Sequence, residues 1–135
     1  MILITFNIYS QEDKVNKFRS DRYAVGLKID GEWESFSNWE QMEKSVLIVF
    51  NGTEDIKYYT SSNDPLTYDI IEYSIEPEDM SIPENLRDQV IKYVTIDDKG
   101  KKCIILLTDE KDETGNSWNN LYFYYDDIKL VYNLY

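Results

Sequence analysis

Apolar and polar residues alternate along much of the chain, which is the pattern of half-buried β-strands. The alternation predicts a first strand over residues 2–9 and a hairpin that joins 23–29 to 32–36 through the tight turn Asp30-Gly31. A second hairpin is predicted from 46–50 to 56–60 around Asn51-Gly52. Further strands are predicted at 68–75, 102–108, 121–125 and 128–134, with a bulge or burial on both faces where the apolar phase shifts between Ile70 and Ile71.

One segment, from about 83 to 94, has the pattern of an amphipathic helix. Ser81 and Glu84 have the spacing of a capping box, and Pro83 suits the first turn. The residues that share its apolar face are Leu86, Val90, Tyr93 and Val94. Short helical turns are predicted near 10–21, where an irregular connection is the alternative, and over 37–44. The sequence therefore predicts an α+β fold, a mostly antiparallel sheet with one principal helix packed on one face.

The composition supports a single domain over residues 1–135. The chain is 42% hydrophobic and contains 12 tyrosines, 5 phenylalanines and 3 tryptophans, which is enough apolar surface for one core. Its glycines and prolines fall at predicted turns, so no linker divides the chain.

Charge restricts the possible partners. There are 26 acidic and 14 basic residues and no histidine, for a net charge of −12. Residues 1–67 carry 11 acids and 7 bases (net −4), whereas 68–135 carry 15 and 7 (net −8). Nucleic acid and anionic membranes are disfavoured as direct ligands, since both are bound mainly through lysine and arginine. An electropositive protein is the expected partner.

Cysteine content and the first residues predict a cytoplasmic location. The single cysteine, Cys103, excludes an internal disulfide and indicates a reducing compartment. Residues 1–9 lack the basic start and the length of a signal sequence, and no apolar run approaches the length of a membrane span.

Catalytic chemistry has little support in the sequence. Without histidine, Ser-His and Cys-His nucleophiles and zinc sites of histidine and cysteine are excluded, and no phosphate-binding glycine motif occurs. The acidic pairs Asp97-Asp98 and Asp126-Asp127 lie at predicted turns and are interpreted as solvated charge. Calcium binding by the acidic loop at 109–116 is an alternative that the sequence leaves open, although the loop lacks the EF-hand spacing. We therefore predict no catalytic residue, cofactor or metal.

The residues expected to contact a partner are acidic or aromatic. Alternate acids in Asp30-Gly31-Glu32-Trp33-Glu34 would lie about 6.6 Å apart along an extended strand and so imitate phosphates, although an exposed hairpin face explains them as well. Trp118, in a predicted polar loop next to the acidic cluster, suits either an interface hot spot or a cover over the core, whereas Trp33 and Trp39 are expected in the core. The predicted partner-binding residues are Asp30, Glu32, Glu34, Glu76, Glu78, Asp79, Asp109, Glu110, Asp112, Glu113, Trp118, Tyr122 and Tyr124.

These features predict an acidic inhibitor that blocks the basic, nucleic-acid-binding surface of a nuclease or a similar enzyme. In composition alone the chain resembles bacterial toxin-immunity proteins and phage anti-defence proteins, a group that includes anti-CRISPR proteins. One alternative is a non-catalytic adaptor or structural subunit that binds through its tyrosine-rich C-terminal strands. Another is an enzyme that acts on a small molecule through carboxylates alone.

Overall fold

The computed structural model describes residues 15–60, 64–75, 90–111 and 113–135. These residues form antiparallel strands joined by turns, and they contain no helix. The strands are β1 (Val15–Ile29), β2 (Glu32–Trp33), β3 (Glu40–Asn51), β4 (Asp55–Tyr59), β5 (Leu66–Ile75), β6 (Val90–Asp97), β7 (Lys102–Lys111), β8 (Ser117–Tyr124) and β9 (Ile128–Leu134).

The sheet closes into a barrel because β1 is long enough to pair with two strands. Its first half pairs with β3, from Val15 to Tyr23, and its second half pairs with β9, from Tyr23 to Leu27. The register with β3 shifts between Ser20 and Arg22, and an irregularity of this kind bends a strand at the point where it changes partner. Strands β1 and β3 to β9 thus form a closed ring of eight, and β2 lies outside it as a hairpin extension of β1.

The interior of the barrel is filled by large side chains from every part of the ring. Alternate residues of each strand point inward, because side chains in a strand alternate between its two faces. Aromatic rings connect strands that are not neighbours in the sheet: Phe123 of β8 lies 5.3 Å from Tyr68 of β5 and 6.4 Å from Tyr58 of β4, measured between ring centroids. The buried core residues are Val46, Ile48, Phe50, Ile56, Tyr68, Ile91, Tyr93, Cys103, Ile105, Leu107, Leu121, Phe123, Tyr132 and Leu134.

A second, smaller apolar cluster lies on the outer wall of the barrel. It contains Ala24, Val90, Leu106, Tyr122 and Val131, which face away from the interior. Residues 32–39, here called the strap, pass along this wall between β1 and β3 and cover part of the cluster.

Backbone hydrogen bonds tie the strap to β1. The N–H of Glu34 donates to the carbonyl of Leu27 at 2.8 Å, and the N–H of Ser37 donates to the carbonyl of Val25 at 2.7 Å. Phe36 packs on Tyr122, with 5.8 Å between ring centroids. The strap is therefore an additional layer over the part of the barrel wall that β1, β9 and β8 form.

The strap also encloses the side chain of Lys129. Its ammonium nitrogen lies 4.2 Å from the centroid of Phe36 and 5.7 Å from that of Trp33. Burial lowers the pKa of Lys129. A β-carbon added at Gly26 would lie 2.5 Å from Cε of Lys129 and 3.2 Å from the carbonyl oxygen of Glu34, so the lysine stem passes where only glycine leaves room.

The predicted α+β class is wrong for the described chain, which is all-β. Residues 90–94, expected to end the principal helix, belong to β6, while 83–89 lie outside the described residues. Val90, Tyr93 and Val94 have helical spacing, but β6 is largely buried in the barrel wall, so its apolar residues need not alternate. The helical turns predicted at 10–21 and 37–44 are also wrong where they are described, because β1 begins at Val15 and β3 at Glu40.

Most of the predicted strands are confirmed. The hairpin around Asn51-Gly52 is β3–β4, and β5 contains the predicted bulge, between Ile70 and Glu72. The C-terminal strands β7, β8 and β9 agree with the prediction, although β8 begins four residues earlier, at Ser117. The hairpin at Asp30-Gly31 is confirmed, but its second strand is only two residues long. The predicted strand at 2–9 lies outside the described residues.

Cys103 should be unreactive in the folded protein. Its side chain is fully buried in the barrel core, and burial raises the pKa of its thiol to about 12. Because the thiolate is the nucleophile, we expect negligible reaction with a disulfide reagent at neutral pH and stoichiometric reaction in denaturant. Rapid modification of the native protein in a spectrophotometric thiol assay would contradict this packing.

Candidate binding groove and acidic surface

A polar site lies on the outer wall, where four strands bring outward-facing side chains together. The groove has a volume of about 470 Å³, within the range of small-molecule sites, and it is open to solvent. Strands β1, β7, β8 and β9 form its floor, and the end of the strap forms one side. Its lining residues are Arg22, Ala24, Phe36, Ser37, Trp39, Glu110, Trp118, Asn120, Tyr122, Val131 and Asn133.

Glu110 is the centre of a hydrogen-bond network on the groove floor. Its Oε2 accepts from Oγ1 of Thr108 at 2.6 Å, from the side-chain amide of Asn120 at 2.9 Å and from the hydroxyl of Tyr122 at 2.8 Å. Register explains the meeting, because β7 and β8 pair Thr108 with Asn120 and Glu110 with Trp118. Three donors therefore hold one carboxylate oxygen in a fixed orientation.

The network continues across β9 to β1. The amide of Asn133 donates to Oδ1 of Asn120 at 3.1 Å, and Oδ1 of Asn133 accepts from Nε and Nη2 of Arg22 at 3.3 and 3.0 Å. The Arg22 guanidinium carbon also lies 5.2 Å from the ring centroid of Trp39. A continuous chain of contacts thus joins the carboxylate of Glu110 on β7 to the indole of Trp39, which immediately precedes β3.

Three of the predicted partner-binding residues meet in this groove: Glu110, Trp118 and Tyr122. Trp118 is half-buried and belongs to β8 rather than to a loop. Tyr122 is only 8% exposed, and its neighbour Tyr124 is half-buried with Trp33 packed edge-on against it. Strand alternation places Tyr122 and Tyr124 on the outer face of β8 and Phe123 in the core, but the outer face is partly covered by the strap.

Both tryptophans expected in the core lie outside it. Trp39 is 43% exposed at the rim of the groove, and Trp33 packs on the outer wall beside Lys28 and Lys129. The groove residues that the sequence prediction missed include Arg22, Trp39, Asn120 and Asn133, which form the network together with Glu110. No local motif marks them, since Arg22 and Asn133 are 111 positions apart.

The predicted acids are divided between the two ends of the barrel. Successive turns of an antiparallel meander alternate between ends. The turns at 30–31, 98–101 and 125–127 therefore lie at one end, here called the first end, and those at 52–54 and 113–116 lie at the second end. Asp30 and Glu32 are at the first end and Glu113 is at the second. Glu76, Glu78, Asp79 and Asp112 lie outside the described residues.

The expected line of carboxylates at Asp30, Glu32 and Glu34 does not extend along one strand. Asp30 is in the turn, with a φ of 52°, and the strand that follows contains only Glu32 and Trp33. All three acids are nevertheless exposed.

The exposed acids are not neutralised by ion pairs within the ranges that the structure describes. The lysine–carboxylate contact found there joins Nζ of Lys57 to Oδ2 of Asp55 at 3.9 Å, and neither residue is fully exposed. The exposed acids are Asp30, Glu32, Glu34, Glu40, Glu43, Glu54, Asp64, Asp69, Glu72, Asp98, Glu113, Asp126 and Asp127. Their charge is therefore available to a partner.

Two acids that are not fully exposed, Asp97 and Asp109, have pKa values shifted by their surroundings. Partial burial acts to raise the pKa of Asp97, but hydrogen bonds from the backbone N–H groups of Lys101 and Lys99 and from the Tyr125 hydroxyl lower it overall. Asp109 has a buried Oδ1 with no hydrogen-bond partner among the described residues, and burial raises its pKa.

The described residues contain neither a metal-binding cluster nor a membrane-spanning helix. Those residues contain no group of three or more cysteine, aspartate or glutamate side chains arranged to hold a metal ion. They also contain no helix long and apolar enough to cross a membrane.

Fold and site together define a closed eight-stranded antiparallel barrel with an aromatic and polar groove on its wall and, among the described residues, exposed acids without ion pairs at both ends. Comparison with protein-family models, with curated proteins and with solved structures finds no match.

Proposed function

We propose that this protein is a non-catalytic inhibitor that docks onto the electropositive surface of another protein, such as a nuclease or another nucleic-acid-processing enzyme. The observation that carries the proposal is the absence of ion pairs at the exposed acids of the described chain. If the acids served solubility alone, acidic and basic side chains could be interspersed on the surface and could pair with each other. Acids that stay unpaired instead produce a long-range field that attracts a basic partner.

Docking would involve one end of the barrel more than the other, because the two ends face opposite directions. At the first end, Asp30, Asp126 and Asp127 are exposed, and the N–H of Lys28 bonds to the carbonyl of Asp127 at 3.0 Å, which brings two of the turns together. At the second end, Glu54 and Glu113 are exposed. The exposed Glu72 follows Ile70 on β5, and the N–H of Ile70 donates to the carbonyl of Glu54 at 2.9 Å. Each group can be neutralised without changing side-chain shape.

Two matched variants test the proposal. The first is Asp30→Asn with Asp126→Asn and Asp127→Asn, and the second is Glu54→Gln with Glu72→Gln and Glu113→Gln. Each removes three charges, so any effect of net charge alone is the same in both. We expect one variant to lose most of its capture of a basic protein from a lysate of the encoding organism, and the other to retain it.

Salt provides the control for this capture experiment. Binding driven by exposed charge should be strong at low salt and should be lost at about 1 M salt, where the Debye length falls to about 3 Å. Equal capture by the two variants and the unmodified protein at all salt concentrations would refute docking through these acids.

A further inference from the structure

We propose that the groove on the outer wall is a binding site for a neutral saccharide, a function separate from docking through the acids. The groove combines rings that a sugar can stack on with planar polar groups that are already held in place. The argument concerns Arg22, Trp39, Glu110, Trp118, Asn120 and Asn133, all of which line it.

The polar groups are fixed before any ligand arrives. Asn120 both donates to Glu110 and accepts from Asn133, and Asn133 accepts from Arg22. These bonds determine which atom of each amide faces which neighbour. Because these side chains are already held in place, they lose little conformational freedom when a ligand binds. This smaller entropic cost matters most for ligands that bind weakly, such as sugars.

The network retains hydrogen-bonding capacity toward the groove. All the hydrogen bonds to Glu110 within the described chain go to Oε2, so Oε1 can accept from a ligand hydroxyl. Each asparagine amide has two N–H donors and uses one of them here, and the guanidinium of Arg22 has five donors. Paired donors and acceptors at short intervals match the adjacent hydroxyl groups of a sugar ring, each of which both donates and accepts.

The charges of the groove favour a neutral ligand. Arg22 and Glu110 belong to one network and are linked through Asn133 and Asn120. A cationic side chain attracted to Glu110 would approach Arg22 as well, and an anionic group attracted to Arg22 would approach Glu110. Each ion would therefore be attracted to one of the two groups and repelled by the other. A neutral, hydroxyl-rich molecule can instead form hydrogen bonds with both.

The aromatic rings supply the apolar part of the site. Trp39 is 43% exposed, and Trp118 is half-buried and also lines the groove. The C–H face of a pyranose ring stacks on indole through dispersion and through attraction to the negative face of the ring. An open groove of about 470 Å³ suits one or two sugar units rather than a deeply enclosed ligand.

Indole resonances of the isotope-labelled full chain give a direct test, because its 3 tryptophans divide between the site and its surroundings. The probes are glucose, galactose, mannose, N-acetylglucosamine, maltose, cellobiose and lactose, after a survey on an array of immobilised neutral glycans. We expect saturable shifts of the Trp39 and Trp118 indole signals with at least one probe and no shift of Trp33. A millimolar dissociation constant is expected for a ligand of this size.

Variants separate stacking from folding. Trp118→Ala is expected to weaken binding at least about tenfold, whereas Trp118→Phe, which keeps a ring, should stay within about threefold. Leu66→Ala, at an exposed site on β5, is the control and should bind as the unmodified protein does. The proposal is overturned if no neutral glycan shifts Trp39 and Trp118, or if only charged probes, tetra-arginine or sialyllactose, do so.

Discussion

Replacing Phe123 with alanine should lower the free energy of unfolding by about 3–5 kcal/mol, the usual cost of removing a buried phenylalanine. Phe123 is 2% exposed, and its ring meets Tyr58, Tyr68 and Tyr132, which come from three other strands. Truncation would therefore leave a cavity between strands on different sides of the barrel. A domain of this size is stable by only about 5–15 kcal/mol, so the variant should be close to unfolding at ambient temperature.

Phe36→Ala is the matched control, because it removes the same ring from the strap on the outer wall. Phe36 is only partly buried, so we expect a smaller loss, of about 1–2 kcal/mol. Both values would be measured by equilibrium unfolding in urea with a spectroscopic signal. Equal losses for the two variants, or a loss below about 1 kcal/mol for Phe123→Ala, would show that the interior of the barrel is not the main core.

Alkaline pH should unfold the barrel cooperatively, because several buried tyrosines must stay neutral in the folded state. Burial raises the pKa of Tyr68 to about 12 and also raises the pKa of Tyr93, Tyr122 and Tyr132. A group whose folded pKa is raised contributes stability that is fully present below its unfolded pKa, about 10, and is lost as the pH rises through the folded value. One pKa unit corresponds to about 1.4 kcal/mol, so Tyr68 alone contributes up to about 3 kcal/mol.

The transition would be followed together by phenolate absorbance and by circular dichroism between about pH 10 and 12. Tyr93→Phe removes one buried hydroxyl and should move the midpoint to higher pH, whereas Tyr135→Phe changes a tyrosine that is 65% exposed and should not move it. Gradual ionisation of all 12 tyrosines near pH 10 without loss of structure would contradict the buried positions.

Strands β5, β7, β8 and β9 could be predicted because their sequence signals are local. In β8, Leu121 and Phe123 face the core and Tyr122 and Tyr124 face outward, as alternation required. The bulge in β5 was visible as a phase shift next to Ile70. Such signals depend only on side-chain direction in a strand, so they survive without knowledge of the topology.

The first half of β1, residues 15–22, and strand β6 could not be predicted, for opposite reasons. At the start of β1, Asn16, Phe18 and Ser20 lie on one face of the strand. Two of these three residues are polar, so the inward face gives little hydrophobic signal. In β6 Val90 faces the outer cluster and Tyr93 the inner core, so both faces are apolar and the alternation disappears. Without knowledge of the neighbouring strands in the barrel, the apolar pattern of residues 90–94 does not distinguish a helix from a strand.

The groove depends on closure of the barrel, which leaves no trace in local sequence. Arg22 and Asn133 meet only because β1 pairs with β9, and Glu110 meets Tyr122 through the β7–β8 register. The prediction placed Trp118 in a loop beside the acidic cluster that contains Glu110, but it selected Tyr122 separately, for its aromatic character. An earlier start for β8, at Ser117, would have placed Trp118 opposite Glu110 and revealed part of the site.

The association rate of this protein with its captured basic partner, measured by stopped-flow fluorescence over a range of ionic strength, is the most direct test of docking through unpaired acids. We expect the rate to fall by a factor of about 10 to 1,000 from low to high salt, while the dissociation rate changes much less. An association rate that does not depend on salt would mean that the exposed carboxylates do not guide binding.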